Sequence, residues 1–215
     1  EGYVERLAQV RKALGLDEVI LYGHSWGSML ATDYLLGKPA GVKAVVLAGP
    51  ALSIPRWEAD ADTLLATLPD SVQRVIQAAE AAGAFETPAY QAAMGEYYGR
   101  YLCRMQPWPA AMDSAFAHLG AFVYGYMEGP SEFTITGTLK GYDRTADLGR
   151  LDLPTLFLVG EYDEARPSTA AYYQGLVKDS KLVVIPGAGH CAMDDHPAEY
   201  VAALRTFLHE VDGGR

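Results

Sequence analysis

A chain of 215 residues, half of them hydrophobic, suffices for one ordinary domain or for a core carrying an insertion. Its formal net charge of −10, with no Lys/Arg cluster able to track a phosphate backbone, argues against a nucleic-acid partner and reads as a solubility feature. Two cysteines, Cys103 and Cys191, offer neither a disulfide framework nor metal-ligand spacing. They suit a reducing compartment, and the expected location is cytoplasmic. No apolar run approaches the ~20 residues of a membrane span, so no membrane partner is expected.

Glu1 to Leu14 sets Val4, Leu7, Ala8, Val10, Arg11 and Leu14 at helical spacing, and Gly15 stops the helix. There is no initiating Met, so the chain is expected to be the later part of a longer polypeptide. Val19 to Tyr22 then reads as a short buried strand, Ser28 to Leu36 as a helix ended by Gly37-Lys38-Pro39, and Val42 to Ala48 as a second strand closed by Gly49-Pro50. Strand, helix and strand over about thirty residues make a βαβ unit.

The turn inside that unit is Gly23-His24-Ser25-Trp26-Gly27. G-x-S-x-G between a strand and a helix is a nucleophile elbow, which lifts a serine above the sheet. A larger residue at either glycine is expected to collide with the strand or the helix. Ser25 Oγ would stand near the positive end of the following helix, with the Trp26 N–H free to bind oxyanion charge.

After Pro50 the texture changes. Residues 51–140 are rich in Ala and aromatics and carry helical stretches at Asp60 to Leu68, Ser71 to Ala82, Pro88 to Met105 and Pro109 to Leu119. This is expected to be a helical cap. Most of its aromatics are expected to pack helices together, and a few to line an apolar pocket facing Ser25. Residues 1–50 and 141–215 would form the sheet-bearing core. In the second part, Leu153 to Val159 and Lys181 to Ile185 read as strands, with a helix near Ser168 to Leu176 between them. Pro197 to His209 is an amphipathic helix, and Gly213-Gly214 a loose tail.

Two loops follow the late strands: Gly160-Glu161-Tyr162-Asp163-Glu164 and Pro186-Gly187-Ala188-Gly189-His190. Serine, acid and histidine therefore occur in the order used by α/β-hydrolases, each just past a strand. Asp163 would orient His190, and His190 would take the Ser25 proton and return it to the leaving group. His24, His118, His196 and His209 are weaker candidates for the base. His24 fits a supporting hydrogen bond, and Asp194 and Asp195 fit an acidic helix start. On residue type alone, Glu132 reads as an exposed loop charge and Glu164 as part of an acidic turn.

The elbow continued through Ser28-Met29-Leu30-Ala31, the segment Gly129-Pro130-Ser131-Glu132-Phe133-Thr134 and the two catalytic loops together resemble the proline iminopeptidase family, especially its tricorn-interacting aminopeptidase branch. The resemblance runs through nearly the whole chain. It implies an α/β-hydrolase fold with a helical cap insertion, release of an N-terminal residue, often proline, from short peptides, and no metal or organic cofactor. It also implies that Glu132 and Glu164 hold the substrate's free amino group. The family's His-Gly-Gly-Pro-Gly oxyanion segment and its early strands have no counterpart here, and both are expected in a missing N-terminal segment associated with this chain. An esterase, amidase or acyl-transferring hydrolase acting on a small ester or amide is the second reading. A silent binding protein on the same scaffold is the third.

Overall fold

The computed structural model describes residues 2–213. Glu1 of the first expected helix and Gly214 of the expected loose tail lie outside them. Helix α1 (Gly2–Ala13) leads to strand β1 (Val19–His24), helix α2 (Trp26–Leu36) and strand β2 (Val42–Ala48). Helices α3 (Ile54–Leu65), α4 (Asp70–Ala82), α5 (Pro88–Tyr101), α6 (Ala110–Ala117) and α7 (Ala121–Met127) follow before the sheet resumes. A 3-10 turn (Thr145–Arg150), strand β3 (Thr155–Gly160), helix α8 (Pro167–Leu176), strand β4 (Ser180–Ile185), a short helix α9 (Ala192–Asp195) and helix α10 (Pro197–Val211) complete it.

The four strands are parallel and lie in the order β1-β2-β3-β4. Alternation along β2 and β3 divides their side chains between the two faces, as a pleat requires. Val45, Leu47 and Phe157 pack with Ala31 and Leu35 of α2 and Tyr173 of α8. Ala44, Val46, Ala48, Leu156 and Leu158 pack with Tyr200 and Phe207 of α10 on the other face. Helices on both faces account for the near-continuous apolar composition of these two strands. On its outer side β1 has no strand partner among the described residues, and Tyr22 is half exposed there.

Helices α3 to α6 enclose an apolar cluster of their own, built on Tyr90, Tyr97, Tyr98, Tyr101, Leu102 and Phe133, and α7 contributes no buried residue to it. Where this helical segment leaves and rejoins the sheet its two ends are stitched together: Ile54 N donates to Tyr142 O (2.8 Å) and Arg144 N to Leu52 O (2.9 Å). A smaller cluster of Met29, Ala51, Ile54, Trp57, Ile135 and Ala165 fills the seam between it and the sheet.

Boundaries differ from the sequence reading for identifiable reasons. Helix α3 begins at Ile54 rather than Asp60 because Pro55 occupies its first turn, where proline is favoured instead of disruptive. Helix α5 stops at Tyr101 rather than Met105, because the carbonyls of Tyr101 and Leu102 turn away to accept from His190 N (2.8 Å) and Cys191 N (2.7 Å). On α7 the packing expected of most aromatics is missing at Phe122, which is 85% exposed, and at Tyr126, also exposed, while Tyr124 lines the pocket expected of a few.

Candidate active site

Parallel strands deliver their carboxyl ends to one edge of the sheet, which is where α/β folds place their chemistry. Ser25 follows β1, Gly49 follows β2, Asp163 follows β3 and His190 follows β4. Ser25 has φ 53° and ψ −123°, a conformation costing a non-glycine residue on the order of 1–3 kcal/mol. Its N–H donates to Ala48 O (2.9 Å), and its carbonyl accepts from Ser28 N (2.8 Å) and Ser28 Oγ (2.6 Å), so the turn is held from both sides. The strain therefore falls on the serine itself. Gly23 is needed for space, since a Cβ there would meet Gly27 O at 2.3 Å. At Gly27 a Cβ would meet nothing within 4 Å, contrary to the expected clash, because only its carbonyl faces the strand. Trp26 is the first residue of α2, and its N–H has no acceptor within the helix.

Asp163 and His190 are buried and joined by an Nδ1···Oδ1 hydrogen bond of 2.7 Å. Asp163 also accepts from Ala165 N (2.8 Å) and Gly160 N (3.2 Å), which fixes its carboxylate before the imidazole arrives. Gly49, at φ +48°, leaves the room the imidazole occupies: a Cβ would sit 2.5 Å from His190 Cε1. His24 packs against the ring with centroids 4.5 Å apart, and its Nε2 lies 3.0 Å from His190 O. Burial, helped by repulsion from His190, lowers the His24 pKa to about 4, so this ring is neutral. Trp57 meets the His190 ring edge-on at 5.7 Å. His190 Nε2 is buried and has no hydrogen-bond partner, so it is not bonded to the Ser25 hydroxyl in this state.

Glu164 is the most unusual group nearby. It is 1% exposed, neither carboxylate oxygen has a hydrogen-bond partner, and Oε1 is 4.0 Å from His190 Nε2. Burial drives its pKa well above the carboxylate range, Glu132, Asp163 and Glu128 push the same way, and His190 opposes them. Glu132 is raised as well, chiefly by burial, with His190 and the Tyr124 hydroxyl favouring its charged form. Tyr124 donates to Glu132 Oε1 (2.9 Å), and Trp57 Nε1 donates to Glu132 O (2.6 Å), anchoring that segment over the sheet edge. Neither glutamate is the solvated loop charge that residue type suggested. For His190, burial disfavours the charge, but Asp163 by its charge and hydrogen bond, with Glu164 and Glu132, brings the pKa up to about 9.

A cavity of about 420 Å³ opens beside Ser25, walled by Trp26, Met29, Trp57, Met127 and Leu139 and carrying Glu128 and Glu132. Trp57 and Tyr124 are the aromatics of the intervening helices that face it, while Tyr90 and Tyr97 are core. Two residues with clear roles in this geometry were missed from sequence. Gly49 had no motif around it. Asp195 binds the histidine loop to the end of α5, accepting from Gly189 N (2.8 Å) at Oδ2 and from Arg104 N (2.8 Å) and Met105 N (2.7 Å) at Oδ1.

An elbow serine, a buried Asp–His pair and a two-faced parallel sheet define the α/β-hydrolase class, and the profile of the alpha/beta hydrolase fold family matches residues 1–197. Within that class, the chain is 39% identical over 212 residues to a proline iminopeptidase of Heyndrickxia coagulans, an alignment covering 98% of this chain and 74% of the relative. Among solved structures, a proline iminopeptidase of Mycobacterium smegmatis superposes with a TM-score of 0.91 at 32% identity, over 98% of this chain and 71% of the other. VinJ does so at 0.94 and 31%, over 97% and 71%. The chain belongs to the proline iminopeptidase family of α/β-hydrolases, and it is a hydrolase of the serine aminopeptidase type.

Proposed function

We propose that this chain carries the catalytic triad and the amine clamp of an aminopeptidase that releases an N-terminal proline or other apolar residue from short peptides. Ser25 attacks the first peptide carbonyl, His190 accepts the Ser25 proton and passes it to the leaving amine, and Asp163 holds the imidazole by Nδ1. The Trp26 N–H binds the oxyanion, and water then hydrolyses the acyl-enzyme on Ser25. A second oxyanion donor would come from a segment pairing along the open side of β1, in keeping with relatives longer than this chain. The unpaired Cys103 and Cys191 suit a reducing cytoplasm.

The observation that carries this reading is the orphaned, buried Glu164 carboxylate beside His190, with Glu132 on the neighbouring cavity wall. Buried carboxylates without partners are costly, and a substrate α-ammonium supplies the missing cation. Binding it within reach of the nucleophile limits cleavage to the first peptide bond. The same ammonium offsets Glu164 and Glu132, the lesser of the charges that favour the His190 imidazolium after Asp163, so binding of a correct substrate shifts the imidazole toward its basic form.

The test is a panel of prolyl and alanyl anilides, free and Nα-acetylated, with the full-length protein and its Glu132→Gln variant. Losing a charge-assisted hydrogen bond of about 1.5–3 kcal/mol should lower kcat/KM on free-amine substrates by roughly 10- to 100-fold. Acetylated substrates should be poor for both proteins. Equal turnover of free and acetylated substrates would remove the aminopeptidase reading and favour the esterase or amidase one.

A further inference from the structure

The cavity beside Ser25 holds one more carboxylate than an α-ammonium needs. Glu128 lines it together with Glu132, at the end of α7, where the helix carbonyls already concentrate negative potential. Its backbone is fixed: Glu128 O accepts from Thr136 N (2.9 Å) and Gly137 N (2.8 Å), and Glu128 N donates to Tyr124 O (2.7 Å). No lysine, arginine or histidine forms an ion pair with it among the described residues. The charged group felt at its carboxyl is Glu132, another acid, which adds to the effect of burial. Glu164, buried beside His190 with both oxygens unbonded, lies behind the cavity lining and is disfavoured in its charged form by both Glu132 and Glu128, so the three carboxylates share one acidic field that an incoming cation relieves. One α-ammonium between Glu132 and Glu164 leaves Glu128 uncompensated.

The rest of the wall is suited to an aliphatic stem. Met29, Val123, Met127 and Leu139 offer apolar surface, and about 420 Å³ is the room of a small-molecule pocket, well beyond a five-membered ring. We infer that Glu128 forms a subsite for a second cation, so that the cavity accepts an N-terminal residue of the aminoalkyl type, lysine or ornithine, as well as a plain apolar one. The methylenes lie along the apolar wall and the terminal ammonium pairs with Glu128. An N-terminal glutamyl or aspartyl residue is rejected by the same carboxylate. This inference rests on the amine-clamp reading above.

The experiment compares lysyl, ornithyl, norleucyl and glutamyl anilides with the full-length protein, with Glu128→Gln and with Glu128→Lys, each variant first checked for a native-like melting transition. Norleucine matches the lysine stem without its charge. The lysyl-to-norleucyl ratio of kcat/KM should fall about tenfold or more in Glu128→Gln, the size of one charge-assisted contact. In Glu128→Lys the glutamyl substrate should gain relative to norleucyl. Ratios that match across all three proteins would overturn the subsite while the requirement for a free α-amine persists. Indifference of the parent protein to Nα-acetylation of the lysyl substrate would instead overturn the amine clamp, and the subsite with it.

Discussion

Burial works against a positive charge on His190, yet Asp163, Glu164 and Glu132 together hold its pKa at about 9 rather than at the ordinary 6.5. The sign of the consequence is fixed. Below that value the free site keeps an imidazolium, which has no lone pair at Nε2 with which to take the Ser25 proton. Activity in the free enzyme therefore rises with pH on a limb displaced to the alkaline side. An uncharged aryl ester brings no ammonium and reports that limb directly in kcat/KM. Glu164→Gln removes a carboxylate that favours imidazolium, so the limb should move to lower pH. A limb at or below 6.5, or one that stays in place in the variant, would contradict the assignment. The placement of Ser25, Asp163 and His190 at one edge of the sheet was legible from the sequence, because each follows a strand in a fixed order. The burial of Glu164 was not, since Glu161-Tyr162-Asp163-Glu164 has the composition of a solvated turn and only long-range packing removes its water.

The elements meet through a few backbone contacts that fix the catalytic loop. Strand β4 brings the His190 loop to the sheet edge, but the loop is held on its other side by the end of α5, through Tyr101 O and Leu102 O and through Asp195. Asp195 is thus a positioning residue. Asp195→Ala strips one charged acceptor from three backbone N–H groups. With hydrogen bonds to charged groups worth about 1.5–3 kcal/mol, and about 2–4 °C per kcal/mol for a chain of this size, the melting temperature should drop by roughly 3–12 °C. The kcat should fall while KM changes little, because the cavity wall is untouched, and Asp195→Asn, which keeps an acceptor oxygen, should recover part of both losses. An unchanged kcat in a destabilised Asp195→Ala protein would leave Asp195 a purely structural role. Strands and core helices were readable from apolar runs and helical spacing. The α5 terminus and this clamp were not, because Asp195 and Arg104 are 91 residues apart and neither belongs to a local pattern.

Across the whole molecule, two apolar clusters grip the sheet, a third builds the helical segment, and the site lies at the seam between them. That arrangement explains why a strained serine and an orphaned carboxylate, that of Glu164, are tolerated: the surrounding packing, distant in sequence, holds them in place. The order of the strands and of the longer helices, and with it the fold, was legible in the sequence, whereas the short helices α7 and α9 were not read. The seam was not, since Trp57, Glu132 and His190 come together only when both halves of the sheet and the intervening helices are assembled. The central claim is that this assembly makes one hydroxyl nucleophilic. The direct measurement is peptide mass mapping of the full-length protein after reaction with a fluorophosphonate, beside Ser25→Ala and His190→Ala. The account predicts a single adduct on the peptide containing Ser25, none in Ser25→Ala, and strongly slowed labelling in His190→Ala. An adduct at another residue, or labelling that persists in Ser25→Ala, would contradict it.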